Sequence, residues 1–297
     1  MQNILITGGS GLIGRAITRL LEEQGKTVAW LSRNPEKYGQ KAFFWDPSTQ
    51  KIDHEALYWA DSIIHLAGEG VADERWTASR KNEILESRVK SSRLLYEELR
   101  TLKDKPKVFV SSSAVGYYGF DTGDKLIYEG EPAGKDFLAG VVKKWEAEIE
   151  KINDTGIRTV IFRTGIVLAK EGGALKEMLK PPVAAPLGSG KQYMSWIHVE
   201  DLARMYIYAM ENHGLSGIYN AVGPVPVTNR VLTERAASFR GKPFVNLGVP
   251  AFALKLLLGE MAQMVLGGNR VSSEKIQGAG FRYKYGDLNQ ALQQIFV

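Results

Sequence analysis

The chain has 297 residues, of which 38 are basic and 33 are acidic, and its net charge is +5. It contains no cysteine, which excludes thiolate catalysis, thiolate metal ligands and disulfides. The four histidines lack metal-ligand spacing and the basic residues form no long run, so we expect neither a metal site nor a nucleic-acid partner.

Apolar runs alternate with segments of helical periodicity along the first half of the chain. Helical spacing is found over residues 12–23, 78–102 and 135–148. Runs typical of buried strands are "NILIT", "TVAWLS", "AFFW", "SIIHLAG", "KVFVSSS" and "IRTVIFRTGIVL". Such alternation implies right-handed crossovers and helices on both faces of one sheet. We therefore predict an α/β fold, a Rossmann doubly wound parallel sheet.

The second half of the chain departs from this alternation. The segment "EGGALKEMLKPPVAAPLGSGKQ" is rich in glycine and proline, and "MSWIHV" and "GIYNAVG" then return as strands. The remaining tail is mostly helical in pattern. We predict two units: a dinucleotide-binding domain of residues 1–168 plus 194–224, and a smaller, mostly helical substrate lobe of residues 169–193 plus 225–297.

The most apolar segment, residues 251–268, does not have the pattern of a membrane span. Lys255 and Glu260 interrupt it, and it is shorter than a bilayer requires. Strand-like residues begin at Asn3, so we expect no signal peptide before the first strand. These features predict a cytoplasmic protein without a membrane partner.

A glycine-rich turn, "TGGSGLIG" at residues 7–14, joins the first predicted strand to the first helix. Glycine allows a sharp turn and lets backbone N–H groups approach a pyrophosphate at the helix N-terminus. A strand before and a helix after make the G-x-x-G-x-x-G pattern typical of a dinucleotide site. We expect the cofactor to contact Thr7, Gly8, Gly11, Leu12, Ile13 and Gly14.

The end of the second strand indicates which dinucleotide is bound. NAD-binding proteins place an acid there for the ribose 2′-hydroxyl, whereas this chain has Ser32 and Arg33, with no acid before Glu36. Arg33 would form charge-assisted hydrogen bonds to a 2′-phosphate, each worth about 1.5–3 kcal/mol. We therefore predict NADP(H) as the cofactor, with Ser32 and Arg33 on its adenosine side.

Several motifs together resemble the extended short-chain dehydrogenase/reductase family, the nucleotide-sugar epimerase and dehydratase group. They are "TGGSGLIG", "HLAG" at residue 65, "SSSAVGYYG" at residue 111, "SWIHVEDLA" at residue 195 and "GIYNAVG" at residue 217. The tail from "VPAFALKLLLGEMA" resembles the C-terminal domain of unknown function found in one subgroup. Members of that subgroup are called epimerase-family proteins, and their substrate is undefined.

The resemblance implies positions for the rest of the cofactor. Leu66, Ala67 and Gly68 would pass the adenosine-ribose side. The run Ser111 to Ser113 would lie beside the nicotinamide, where Ser112 or Ser113 would polarise a substrate oxygen; a serine that only caps a turn is the alternative. Thr164 and Gly165, after the sixth strand, would line the nicotinamide pocket. Asp201 is interpreted as a helix cap.

The proton donor of the family is missing from its expected helix. Relatives that transfer hydride carry Tyr-x-x-x-Lys there, because residues i and i+4 share one face and the cation lowers the tyrosine pKa. Counting back eight residues from Glu146 gives Leu138 for the tyrosine and Val142 for the lysine. A shift by one residue gives Phe137 and Val141, which are also apolar.

Other side chains are candidates for the missing donor. Tyr117 and Tyr118 follow the serine run, and Tyr118 is our candidate, with Ser112 and Ser113, for the catalytic group; packing aromatics are the alternative. His198 and Glu69 are the other options. None has a lysine at helical spacing.

These features predict an NADP(H)-dependent oxidoreductase or epimerase-like enzyme with a non-standard proton relay. Its substrate would be a small carbonyl or sugar-like molecule, and the protein would be a monomer or a homodimer. A cofactor-binding sensor without turnover is the main alternative, favoured by the missing dyad. A plain scaffold is the weakest interpretation, because the glycines and Arg33 are intact.

Overall fold

The computed structural model describes residues 2–297 as an α/β protein with fourteen strands and eleven α-helices. The strands are β1 Asn3–Thr7, β2 Thr27–Ser32, β3 Ala42–Asp46, β4 Lys51–Ile52, β5 Ser62–His65, β6 Val108–Ala114, β7 Leu126–Ile127, β8 Arg158–Thr164, β9 Ile166–Leu168, β10 Tyr193–Met194, β11 Trp196–His198, β12 Gly217–Ala221, β13 Val227–Thr228 and β14 Arg270–Val271. The helices are α1 Leu12–Glu23, α2 His54–Trp59, α3 Ala78–Thr101, α4 Phe137–Glu150, α5 Gly173–Met178, α6 Val199–Glu211, α7 Asn229–Arg240, α8 Ala251–Leu258, α9 Ala262–Leu266, α10 Glu274–Gly278 and α11 Leu288–Phe296.

The main sheet has eight strands in the order β12-β8-β6-β5-β1-β2-β3-β4. All neighbours pair in parallel except β3 and β4, which are antiparallel. The chain runs from β1 outward through β2 and β3, then returns to β5 on the other side of β1. The strand order therefore reverses between β1 and β5, and ligands bind at such reversal points, beyond the carboxyl ends of the strands.

Alternating side chains of β1 belong to cores on opposite faces of the sheet. Ile4 and Ile6 pack with the apolar stripe of α1 and with α6, whereas Leu5 packs with residues of α3 and α4. The central strands are apolar on both faces, as a sheet covered on both sides requires. This arrangement confirms the predicted doubly wound fold.

A third core lies in the C-terminal part of the chain. It joins apolar residues of α5, α7 and α11 to the ends of β9 and β11, among them Leu175, Leu232 and Leu292. Three two-stranded sheets accompany it: β9 with β11, β10 with β13, and β7 with β14. This part is mostly helical, as predicted.

The apolar segment near the C-terminus forms two short helices, α8 and α9. Phe252, Leu256 and Leu257 of α8 are largely exposed. Within residues 2–297, no helix combines the length and hydropathy needed to cross a bilayer.

Two local differences from the predicted elements have physical causes. The residues between β3 and β5 form β4 and α2, where Asp53 caps α2 by accepting a hydrogen bond from the Glu55 backbone N–H. The predicted sixth strand is divided at Gly165 into β8 and β9, because β9 leaves the main sheet to pair with β11. Any side chain at residue 165 would collide with the carbonyl oxygen of Ser195.

Candidate cofactor and substrate site

The glycine turn after β1 has no room for side chains. Gly8 has φ +67°, and its carbonyl oxygen accepts a hydrogen bond from the Gly11 N–H at 3.0 Å. A Cβ at Gly14 would lie 2.5 Å from that same carbonyl oxygen and 2.5 Å from Cα of Gly9. The first turn of α1 therefore packs directly on the turn backbone, and no side chain caps the helix at Gly11.

The strand ends at the reversal point are held together by Thr7. Its Oγ1 accepts hydrogen bonds from the backbone N–H groups of Leu66 at 3.0 Å and Ala67 at 3.1 Å. Its hydroxyl proton therefore goes to Nδ1 of His65, 2.8 Å away. The other ring nitrogen of His65 then donates to Oγ of Ser92 at 3.2 Å. This chain of hydrogen bonds fixes the loop after β5 beside the glycine turn.

Burial lowers the pKa of His65 from 6.5 to about 3, so the imidazole stays neutral in the folded protein. Below pH 6.5 the unfolded chain binds a proton at His65, whereas the folded protein keeps the imidazole neutral. The stability that comes from the neutral imidazole is therefore present above pH 6.5 and is lost as the pH falls. From this group we expect the free energy of unfolding to fall as the pH is lowered, with a slope that grows from about 0.7 kcal/mol per pH unit at pH 6.5 to about 1.4 kcal/mol per pH unit near pH 5. Urea titrations across that range measure it. A His65→Asn variant with the same slope as the wild type would contradict the assignment.

A cleft of about 740 Å³ lies beyond the strand ends and collects most of the predicted adenosine-side residues. The predicted residues that line it are Gly8, Gly11, Ser32, Arg33, Leu66, Ala67 and Gly68. Sequence reasoning missed other residues of its wall: Ser10, Asn34, Lys37, Tyr38, Trp45, Asp46, Ser48, Arg80 and Lys90. Several of these lie in the turns after β2 and β3, where no spacing rule points to a ligand.

Arg33 and Asp46 are charged side chains of the cleft wall at the ends of β2 and β3. The Arg33 side chain is exposed, and no ion pair involves it among residues 2–297. The Asp46 carboxylate accepts from the N–H and Oγ of Ser48, and from Oγ1 of Thr49. The Ser48 hydroxyl bond, opposed by slight desolvation, lowers the Asp46 pKa. Asp46 is thus engaged in its own turn, whereas Arg33 has its guanidinium donors available.

A second cavity of about 210 Å³ lies deeper, between the end of β6, α4 and the C-terminal part of the chain. Its walls are largely apolar and include Leu138 and Val142 from α4 and Ile166 from β9. Both positions that the resemblance assigns to the Tyr-x-x-x-Lys pair therefore face this cavity. Met264 and Gly268 contribute the opposite wall.

Two predicted catalytic residues belong to a buried polar network. Ser113 Oγ donates to Oε1 of Glu146 at 2.5 Å, and Arg163 binds both oxygens of that carboxylate at 2.8 and 2.9 Å. Arg163 also donates to the Tyr118 hydroxyl at 3.1 Å, which donates to Oδ1 of Asn220 at 2.7 Å. Ser113 and Tyr118 are 2% and 5% exposed, and neither lines either cavity.

Protonation of this network is set by burial and by the ion pair. Burial raises the pKa of Tyr118 to about 12, although Arg163 opposes the shift. Burial alone would lower the Arg163 pKa, but the hydrogen bonds and charge of Glu146 outweigh it and raise the pKa. A tyrosine with a raised pKa is a weak general acid or base near neutral pH. The surroundings of Tyr118 are thus those of a buried, hydrogen-bonded aromatic side chain.

The remaining predicted residues stand outside both cavities. None of the following eight residues lines either cavity. The buried ones are Thr7, Gly14, Ser111 and Thr164. The half-buried ones, beside the cleft or the strand ends, are Leu12, Ile13, Ser112 and Gly165. Among the alternative donors, Tyr117 stacks on the Arg163 guanidinium at 3.4 Å. His198 is held by Gln294 at 2.8 Å, and Glu69 lines the large cleft beside Arg80. Their catalytic roles stay predictions.

Asp201 shows where the sequence interpretation needs refinement. It lies in the first turn of α6, whose N-cap is His198. Its carboxylate accepts from the backbone N–H groups of Lys284 and Tyr285, both at 2.7 Å, and pairs with Arg204. Asp201 therefore joins α6 to the C-terminal segment instead of capping the helix.

A Rossmann-type sheet with a glycine turn and a cleft at its reversal point defines a dinucleotide-binding protein. Residues 4–135 match the NAD dependent epimerase/dehydratase family, and residues 249–295 match a domain of unknown function, DUF1731. The chain is 37% identical to epimerase family protein YfhF of Bacillus subtilis (strain 168), over all of this chain and 98% of the relative. It is 32% identical to epimerase family protein SAR0825 of Staphylococcus aureus (strain MRSA252), over 99% of both.

Solved structures give the same result. Human epimerase family protein SDR39U1, crystallised with NADPH, superposes with a TM-score of 0.89 at 30% identity, over 99% of both chains. A nucleoside-diphosphate sugar epimerase from Corynebacterium glutamicum has a TM-score of 0.80 at 31% identity, over 99% of this chain and 58% of the other. The chain belongs to the epimerase family of proteins, within the NAD dependent epimerase/dehydratase group, and the resemblance found in its sequence is confirmed.

Proposed function

We propose that this protein binds NADP(H) and uses it in an oxidoreductase or epimerase-like reaction on a small molecule. One observation carries the proposal: the glycine turn and Arg33 line the same cleft at the reversal point of the sheet. The diphosphate would lie on the backbone N–H groups that follow Gly11, in the first turn of α1. The adenosine end would then extend across β2 towards Ser32 and Arg33.

Charge selects NADP(H) over NAD(H) in this proposal. A 2′-phosphate would meet the free guanidinium of Arg33, and Lys37 lies on the same wall of the cleft. Asp46, an acid in the wall of the same cleft, is occupied by its own turn. The human relative that was crystallised with NADPH supports this choice, since it matches the chain over nearly its whole length.

The nicotinamide would lie at the mouth of the smaller cavity, next to the ends of β6 and β8. That cavity is closed by residues 264–269 of the C-terminal part, which supports the assignment of residues 169–193 plus 225–297 as the substrate lobe. Leu138 and Val142 stand in the cavity where related enzymes carry their acid and its lysine. We therefore propose a proton relay without that pair, in which a substrate group, a bound water or Ser112 moves the proton.

The test is the cofactor preference of an Arg33→Met variant. We expect NADPH to bind at least tenfold more weakly to the variant than to the wild type, because the variant lacks the charge that meets the 2′-phosphate. NADH affinity should change little. NADPH fluorescence titration measures both, and Arg19→Met is the control, since Arg19 is exposed and pairs with Glu23 on the surface of α1.

Equal losses for NADPH and NADH in Arg33→Met would contradict the 2′-phosphate assignment. A wild-type protein that binds neither nucleotide would refute the proposed function as a whole. A carbonyl substrate panel with bound NADPH then tests turnover, and tight binding without oxidation across the panel would count against an enzyme.

A further inference from the structure

Arg88 is a cationic side chain that the proposed cofactor chemistry does not use. It projects from α3 into the smaller cavity, and its guanidinium lies 5.2 Å from the ring centre of Trp145. Its one hydrogen bond goes to the carbonyl oxygen of Ile84 at 3.0 Å. On the other side it touches Gly68, where a Cβ would come within 3.1 Å of Cζ. The guanidinium is therefore fixed in place by packing.

No carboxylate in the described chain, residues 2–297, forms an ion pair with Arg88. Glu69, whose charge acts on Arg88, pairs with Arg80, which also binds Asp73 and Glu83. Burial lowers the Arg88 pKa to about 10; Glu69 opposes this shift and Arg80 adds to it, and the group is charged at neutral pH. Arg163, which is buried in the neighbouring network, has its charge matched by Glu146. Arg88, in contrast, carries an unmatched charge into the smaller cavity.

The rest of the cavity offers few groups for a polar ligand. Ser195 Oγ donates to the carbonyl oxygen of Asn269 at 2.6 Å and accepts from the Val271 N–H at 2.9 Å. Asn269 Nδ2 donates to the carbonyl oxygen of Gly119 at 2.8 Å. Arg88 is the only charged residue in the cavity wall, and it has N–H donors to spare.

We propose that Arg88 binds the acidic group of the substrate, so that the substrate is a small organic carboxylate with an apolar body. This inference rests on the proposed function, because it assigns the ligand of the cavity at whose mouth the nicotinamide would lie. A carboxylate can accept two parallel hydrogen bonds from a guanidinium, and the apolar surroundings strengthen that interaction. Leu138, Val142 and Ile166 would contact the apolar body.

The size of the cavity limits the ligand. Its volume of about 210 Å³ corresponds to about seven water molecules at roughly 30 Å³ each. That space suits a small acid of roughly ten heavy atoms. Benzoate is a suitable probe, and benzamide is its neutral counterpart of the same shape.

The experiment compares benzoate with benzamide on the full chain, with and without saturating NADPH, by saturation-transfer NMR and calorimetry. We expect the wild type to bind benzoate at least tenfold more tightly than benzamide. Arg88→Met should abolish this preference, and Arg88→Lys should keep part of it. Arg100→Met, which removes an exposed arginine of the same helix, should behave like the wild type. Circular dichroism establishes that each variant is folded.

Several outcomes would overturn the proposal. One is that the wild type binds benzoate and benzamide with equal affinity. Another is that neither probe binds although NADPH does. A third is that Arg88→Met still prefers benzoate. A loss of NADPH affinity in Arg88→Met as large as that in Arg33→Met would assign Arg88 to the cofactor phosphates instead. Failure of the wild type to bind NADPH would refute the proposed function, and the measurements without NADPH would still test Arg88.

Discussion

Replacing Arg163 with methionine should lower the free energy of unfolding by about 3–5 kcal/mol, because it leaves the buried Glu146 carboxylate without its cation. The side chains of this pair are only 2% and 5% exposed, so water cannot solvate the remaining charge. The variant also removes the guanidinium donors from Tyr118 and from the Glu129 carbonyl oxygen. Urea denaturation followed by circular dichroism measures the loss.

Two controls separate charge from packing in this experiment. Arg19→Met breaks an exposed ion pair, and surface pairs are worth about 0–1 kcal/mol. The double variant Glu146→Leu with Arg163→Met has no buried charge left, so it should recover at least half of the loss. A double variant less stable than Arg163→Met would show that the hydrogen bonds to Ser113 and Tyr118 outweigh the stranded charge, and would contradict this account.

Replacing Gly14 with alanine should reduce NADPH affinity at least a hundredfold and lower the free energy of unfolding by about 1–3 kcal/mol, the usual cost of overpacking. The new methyl group would lie 2.5 Å from backbone atoms of both Gly8 and Gly9. Backbone cannot rotate away as a side chain can, so the turn must move. Fluorescence titration with NADPH and urea denaturation measure the two effects.

Gly140 provides the matched control for this substitution. It is also a helical glycine, but it lies on the exposed face of α4, and an added Cβ would meet no atom within 4 Å. Gly140→Ala should therefore stabilise the protein by about 0.5–1 kcal/mol through helix propensity alone, and leave NADPH binding unchanged. The same glycine-to-alanine change is thus expected to lower the free energy of unfolding at residue 14 and to raise it at residue 140. Equal effects at both residues would contradict the packing argument.

The fold was predictable where short-range patterns carry it. The glycine turn, the apolar strands and the α3 periodicity all depend on residues that are close in sequence, and the bounds of β2 and α1 agree with the structure. The short elements β4 and α2 were missed, because a two-residue strand and a six-residue helix give too short a pattern. The division of the sixth strand at Gly165 depends on pairing with β11, a partner thirty residues away.

The site was only partly predictable, because its polar groups are brought together from distant segments. In the sequence, Glu146 indicated only the register of the helix. Its partner Arg163 lies inside a strand, where the hydrophobic pattern does not reveal a buried ion pair. Strand alternation turns Ser111 and Ser113 to the face of the sheet that α4 covers, and the Glu146 carboxylate on that face binds Ser113. Arg88 lies in a polar helix with nothing in the pattern to single it out, and its cavity exists only once α4 and residues 264–269 are folded around it.

The contact between Gly68 and Arg88 places a single residue between the two proposed ligands. Gly68 lines the large cleft, and the guanidinium that rests against it faces the smaller cavity. Any movement of this backbone that follows nucleotide binding must shift the cation on its other side. Thermodynamic linkage then requires that occupancy of either cavity change the affinity of the other by one common factor. Gly68 is accordingly the position through which coenzyme and acid would change each other's affinity.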